Sequence, residues 1–139
     1  MKSSENSNEC FEILISNYED IILARQKVKS FMQKTGFSVL AQTRIVTAVS
    51  ELARNIVVHA GQGKMSAYQI TKKRNRPGLK CVFKDQGPGI SNIDEAMKEG
   101  FSTSNSLGLG LSGARKLCNE FHIESAEKKG TTISIVEWL

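Results

Sequence analysis

Three short stretches of this chain carry side chains that could do chemistry. The first is Lys84-Asp85-Gln86-Gly87-Pro88-Gly89-Ile90, where an apolar run, Leu79 to Phe83, stops on a carboxylate and breaks into glycine and proline. An Asp at the tip of a buried strand is a fixed acceptor for an amino group, and the glycines let the backbone take φ > 0 and approach a ligand closely. That chemistry suits the amino edge of a purine, although an ordinary turn has the same composition. The second is Glu51 and Asn55, four residues apart and beside the apolar stripe Ile45, Val49, Leu52 and Ile56. On a helix, this spacing stacks both polar groups on the border between core and solvent, where a ligand could lie; a plain solvated flank has the same pattern. The third is Gly108-Leu109-Gly110-Leu111-Ser112-Gly113, a glycine-rich helix start whose free N–H groups could meet phosphate oxygens, or which could be only a hinge.

The elements that must position these groups follow from periodicity. Residues 1–9 read as a flexible polar tail, and residues 10–139 as a single domain. Phe11, Ile13 and Ile15 alternate as a first strand. Ser16-Asn17-Tyr18-Glu19 reads as a capping box opening a helix with the stripe Ile21, Ala24, Val28 and Phe31, ended by Gly36 in a left-handed cap. A second helix spans about Val39 to His59, and Gly61-Gln62-Gly63 closes it. Lys64 to Thr71 and Leu79 to Phe83 form a hairpin around a turn at Arg74 to Gly78. After the Asp85 corner come a short helix from Asn92 or Ile93 to Glu99 and a small, polar stretch, Gly100 to Leu107, with the composition of a lid. A third helix has the stripe Leu111, Ala114, Leu117 and Phe121. A last hairpin, His122 to Lys128 and Thr131 to Leu139, turns at Lys128-Lys129-Gly130. This order predicts an α+β fold: a mixed, mostly antiparallel sheet with helices on one face, a two-layer sandwich.

Bulk properties narrow the classes. The 139 residues, 40% hydrophobic, suit one domain with a real core. No apolar run reaches the roughly 20 residues that a bilayer span requires, and the start of the chain lacks a signal-peptide pattern, so a cytoplasmic protein without membrane contact is expected. Cys10, Cys81 and Cys118 lack metal-ligand spacing and read as free thiols. The formal charge of +5 suits an acidic or polyphosphate partner, but Lys72, Lys73, Arg74, Arg76 and Lys80 cluster at a hairpin tip without interleaved aromatics, which argues against nucleic acid. His59 and His122 stand alone and read as structural; Trp138 reads as a plug for the last strand.

Taken together and in order, these stretches resemble the GHKL (Bergerat-fold) ATPase and kinase superfamily. Glu51-Leu-Ala-Arg-Asn55 looks like its N box, Asp85-Gln-Gly-Pro-Gly89 its G1 box, Gly108-Leu-Gly110 its G2 box and Gly130-Thr131 its G3 box. Within it, Ser-Glu-Leu-Ala-Arg-Asn and Glu-Gly-Phe-Ser-Thr-Ser look closest to RsbT-type serine/threonine switch kinases of the stressosome and related anti-sigma factor kinases. The resemblance implies ATP and Mg²⁺ as cofactors. Glu51 would be the general base and Asn55 a Mg²⁺ ligand. Asp85 would take the adenine amino group, supported by Thr131 through water, with Gly87 and Gly89 giving the base room. Ser102, Thr103, Gly108, Leu109, Gly110 and Leu111 would lie along the phosphates. It further implies transfer of the γ-phosphate to Ser or Thr of STAS-domain partners, a downstream phosphatase or sigma-factor-pathway regulator, and leaves homodimerisation open. An anti-sigma binding module using ATP as a structural ligand and a detached histidine-kinase-like ATPase domain are the alternatives. One departure stands out: relatives carry an arginine shortly before the second glycine box, and this chain has Ser104-Asn105-Ser106-Leu107, leaving Arg54, Arg115 or a partner to supply that charge.

Overall fold

The computed structural model describes residues 6–98 and 110–139; the lid stretch and the first glycine of the third helix fall outside them. In chain order come β1 (Asn6–Ile15), α1 (Tyr18–Thr35), α2 (Val39–Asn55), a π-helical turn (Ile56–Ala60), β2 (Gly63–Lys72), β3 (Arg76–Asp85), α3 (Ile93–Ala96), α4 (Gly110–Lys116), β4 (Glu120–Ser125) and β5 (Thr131–Trp138). One five-stranded sheet has the order β1-β2-β3-β5-β4, and all four pairings are antiparallel rather than mixed. The last strand therefore inserts between β3 and β4, and this insertion builds the site.

Alternation along the strands sorts the sheet into two faces. Met65, Ala67, Leu79, Cys81, Phe83, Ile133 and Ile135 face the helices and join Ala24, Val28, Ile45, Val49 and Leu52 in one core. Ile70, Val136 and Trp138 form a small separate cluster that contains no helical residue. The helices thus cover one face, as the two-layer expectation requires. Among the described residues, no helix is long and apolar enough to cross a membrane.

Several local expectations shift by a residue or two. The N-cap of α1 is Asn17, whose side chain accepts the Asp20 N–H at 3.0 Å, while Asp20 takes the N–H and hydroxyl of Ser16. The box is therefore built one position later than Ser16 and Glu19 suggested. Phe31 packs against the core partly buried, as expected, Met32 beside it is fully buried there too, and Gly36 ends α1 at φ 100° as anticipated. Strand β1 starts at Asn6 because β2 is long enough to pair with it, Asn6 standing opposite Thr71.

The hairpin turn contains only Lys73-Arg74-Asn75, with Arg74 and Asn75 at positive φ. Pro77 and Gly78, expected in the turn, belong to β3. Gly78 lies under the Trp138 ring, where a Cβ would come 2.5 Å from the nearest ring atom. Trp138 is indeed a buried plug, with its indole N–H donated to Glu120 at 2.6 Å and Lys72 4.6 Å above the ring. The third helix ends at Lys116, so Phe121 lies on β4 and not on its stripe. Asn119 stops the helix: its N–H goes to Glu137 at 3.0 Å, and its side chain accepts the Trp138 N–H at 2.7 Å. Arg44 of α2 locks this junction, donating to the Leu117 carbonyl and to the buried Glu137, each at 2.9 Å.

Candidate functional site

The ends of β3, β5 and β4 form a row. Asp85 pairs directly with Thr131, and Thr131 pairs on its other side with Ser125. Residues far apart in sequence thus present three polar side chains along one sheet edge. Gly87 donates its N–H to Asp85 Oδ1 at 2.8 Å, which fixes the carboxylate and leaves its second oxygen available.

Two glycines make the corner fold back on its neighbours. At Gly89 (φ 77°) a Cβ would stand 1.9 Å from the Ala126 carbonyl oxygen; at Gly87 it would stand 2.7 Å from the Ala60 Cβ. The first glycine therefore lets the corner meet the β4–β5 turn, and the second lets it close on the π-helical turn. An Ile90 N–H donated to Ser125 Oγ at 2.8 Å completes the tie.

Between this edge and the end of α2 lies a cavity of about 310 Å³, within the size range of small-ligand pockets. Of the residues singled out from sequence, Asn55, Asp85, Gly89, Gly110, Leu111 and Thr131 line it. Gly87 does not; it acts on Asp85 from behind. Glu51 is half-buried one helical turn before Asn55 and outside the cavity wall. Ser102, Thr103, Gly108 and Leu109 lie outside the described residues. Arg54 and Arg115 are exposed and line no part of the cavity.

Sequence reading missed much of the apolar wall. Leu52, Ile56, Phe83 and Ile133 floor the cavity, while Ile90 and Ala96, on the corner and on α3, close its far side. Leu52 and Ile56, expected in the core stripe alone, are buried there and border the cavity as well. His59 also lines it and so lies at the site rather than merely ending a helix. His122 is not structural: its ring is exposed and 3.3 Å from the Glu124 carboxylate.

Among the described residues, no group of three His, Cys, Asp or Glu side chains could hold a cation. Asn55 offers one amide oxygen, which suits Mg²⁺, an ion usually held by one or two protein oxygens together with substrate phosphates. The three cysteines are free. Burial, and then the neighbouring Glu137, pushes the Cys118 thiol up to about 11, and burial pushes Cys81 higher still, so both remain protonated at neutral pH.

Comparison with known proteins follows this geometry. Residues 41–138 match the histidine kinase-, DNA gyrase B- and HSP90-like ATPase family. The chain is 42% identical to the serine/threonine-protein kinase RsbT of Bacillus subtilis over 134 residues, 96% of this chain and 98% of that protein. It is 31% identical to the anti-sigma F factor of Bacillus cytotoxicus over 120 residues, 84% of this chain and 82% of that protein. In fold it resembles a crystal structure of the RsbU and RsbW domains of a Mycobacterium tuberculosis protein. The TM-score is 0.60 at 16% identity, over 92% of this chain and 32% of that longer one. With its sheet order and these matches in agreement, the chain belongs to the histidine kinase-, DNA gyrase B- and HSP90-like ATPase family.

Proposed function

We propose that this chain is an ATP-dependent protein serine/threonine kinase acting as a partner switch, and that it phosphorylates STAS-domain proteins in the cytoplasm. The observation that carries this reading is one cavity lined together by Asp85 and Thr131 of the sheet edge, Asn55 of α2 and Gly110 of α4. Similarity over nearly the full length of a serine/threonine-protein kinase supports the choice of acceptor.

In this reading Asp85 takes the adenine amino group, and the apolar floor stacks the base. Asn55 holds Mg²⁺, which when bound neutralises charge on the phosphates. Gly108, Leu109, Gly110 and Leu111 turn main-chain N–H groups to the phosphate oxygens, with Ser102 and Thr103 alongside. Glu51 takes the proton from the partner's Ser or Thr hydroxyl. That oxygen bonds to the γ-phosphorus, the bond to the β–γ bridging oxygen breaks, and ADP leaves with its electron pair. A new charge of nearly −2 on the partner then weakens any interface that holds it, which is how transfer becomes release.

The test is incubation with γ-labelled ATP, Mg²⁺ and STAS-domain proteins. Acid-stable label on Ser or Thr with the wild-type chain, and none with Glu51→Ala, is the expected result. Acid-labile label would indicate a histidine kinase instead. The anti-sigma similarity favours a second reading, sequestration with ATP as a structural ligand. It predicts that Glu51→Ala keeps full partner binding and full regulatory effect.

A further inference from the structure

Ser125 lies behind the cavity edge, and its hydroxyl is fully committed. It has one proton and two lone pairs. Its Oγ accepts the Ile90 N–H at 2.8 Å, lies 2.9 Å from the Gly130 carbonyl oxygen and 2.8 Å from Thr131 Oγ1. A carbonyl cannot donate, so the serine proton must go to Gly130. The remaining contact is then satisfied only if Thr131 donates to Ser125. The threonine proton is thereby spent on Ser125, which is not among the residues lining the cavity, and the hydroxyl of Thr131, which is, has only lone pairs left to offer.

Asp85, the direct cross-strand neighbour of Thr131, uses Oδ1 to accept the Gly87 N–H and offers its other carboxylate oxygen as a second acceptor. Two adjacent acceptor-only groups favour a base edge rich in donors and oppose one that presents a carbonyl there. We propose that Ser125 is a specificity-determining residue: by taking the Thr131 proton it makes the strand edge select the amino group of adenine over the carbonyl of guanine. It acts through Thr131 as a positioning residue and touches no ligand. This rests on the nucleotide-site reading above.

The test is calorimetric titration of the full chain with ADP and with GDP. In Ser125→Ala the Thr131 proton is freed to point inward, and the ADP-to-GDP affinity ratio should fall about fivefold. Ser125→Thr, which keeps the hydroxyl, should hold the ratio within about twofold of wild type. In a Thr131→Val background, Ser125→Ala should no longer change the ratio, a result that a purely structural role for Ser125 would not produce. An unchanged ratio in a folded Ser125→Ala protein overturns the proposal alone. So does an unchanged ratio in Thr131→Val, which keeps the question decidable if the Ser125 variant does not fold. A wild-type chain that binds neither nucleotide overturns the site reading and this proposal together.

Discussion

The strand edge and the end of α2, which meet at the cavity, are built in opposite ways. At the Asp85 end every polar group is tied from behind: Asp85 to Gly87, Ser125 to Ile90, Gly130 and Thr131. The edge belongs to a sheet whose strands pair through their last residues. At the α2 end, Glu51 has no hydrogen-bonded or ionic partner among the described residues, and the helix loosens to a π turn right after Asn55. Recognition of a fixed base profits from preorganised acceptors, since nothing need be ordered on binding. A general base must keep a lone pair open for the incoming proton. The contrast therefore separates a strand edge with fixed acceptors from a carboxylate with no fixed partner, which is the division that the proposed roles of Asp85 and Glu51 require.

Variants at each end should break that contrast in different observables. Glu51→Ala should lower phosphoryl transfer by about a thousandfold, while nucleotide affinity stays within about threefold; single-turnover kinetics with calorimetry would check both. Asp85→Asn should do the reverse, weakening ADP binding about 10- to 100-fold by replacing a charged acceptor with an amide that can turn its donors inward. Gly89→Ala should destabilise the chain by about 3 kcal/mol, because the residue sits at positive φ against the Ala126 carbonyl, and denaturant unfolding would measure it. Asn17→Ala, which removes an α1 cap that does not line the cavity, should cost about 1 kcal/mol and leave ADP affinity untouched. Loss of nucleotide binding in that last variant would mean that the strand edge depends on the α1 cap and is not held by its own ties alone.

The periodic parts of this architecture could be read from sequence because each depends on neighbours along the chain. Ile45, Val49, Leu52 and Ile56 mark a helical face, and Leu79, Cys81 and Phe83 a strand, without reference to anything distant. Failures arose where a distant partner decided. Phe121 continued the Leu117 spacing on paper, but Glu137 and Trp138 claim Asn119 and turn the chain into β4. Pro77-Gly78 looked like a turn because its composition says so, and only the Trp138 ring explains why a strand needs glycine there.

The site divides along the same line. Asp85, Asn55 and Thr131 were found individually from their motifs. Their convergence depends on β5 inserting between β3 and β4, which no local pattern encodes. Ser125 had one usable signal: a hairpin turning at residues 128–130 places it opposite Thr131.

A nucleotide bound against the Asp85–Thr131 edge would touch a defined set of backbone amides. In an amide-resolved NMR titration with ADP and Mg²⁺, the largest shifts should fall on Asn55, Gly87, Ile90 and Thr131, leaving Arg74, Asn75 and the Trp138 indole unmoved. Shifts concentrated at that hairpin tip, with the Asp85–Thr131 edge silent, would contradict it.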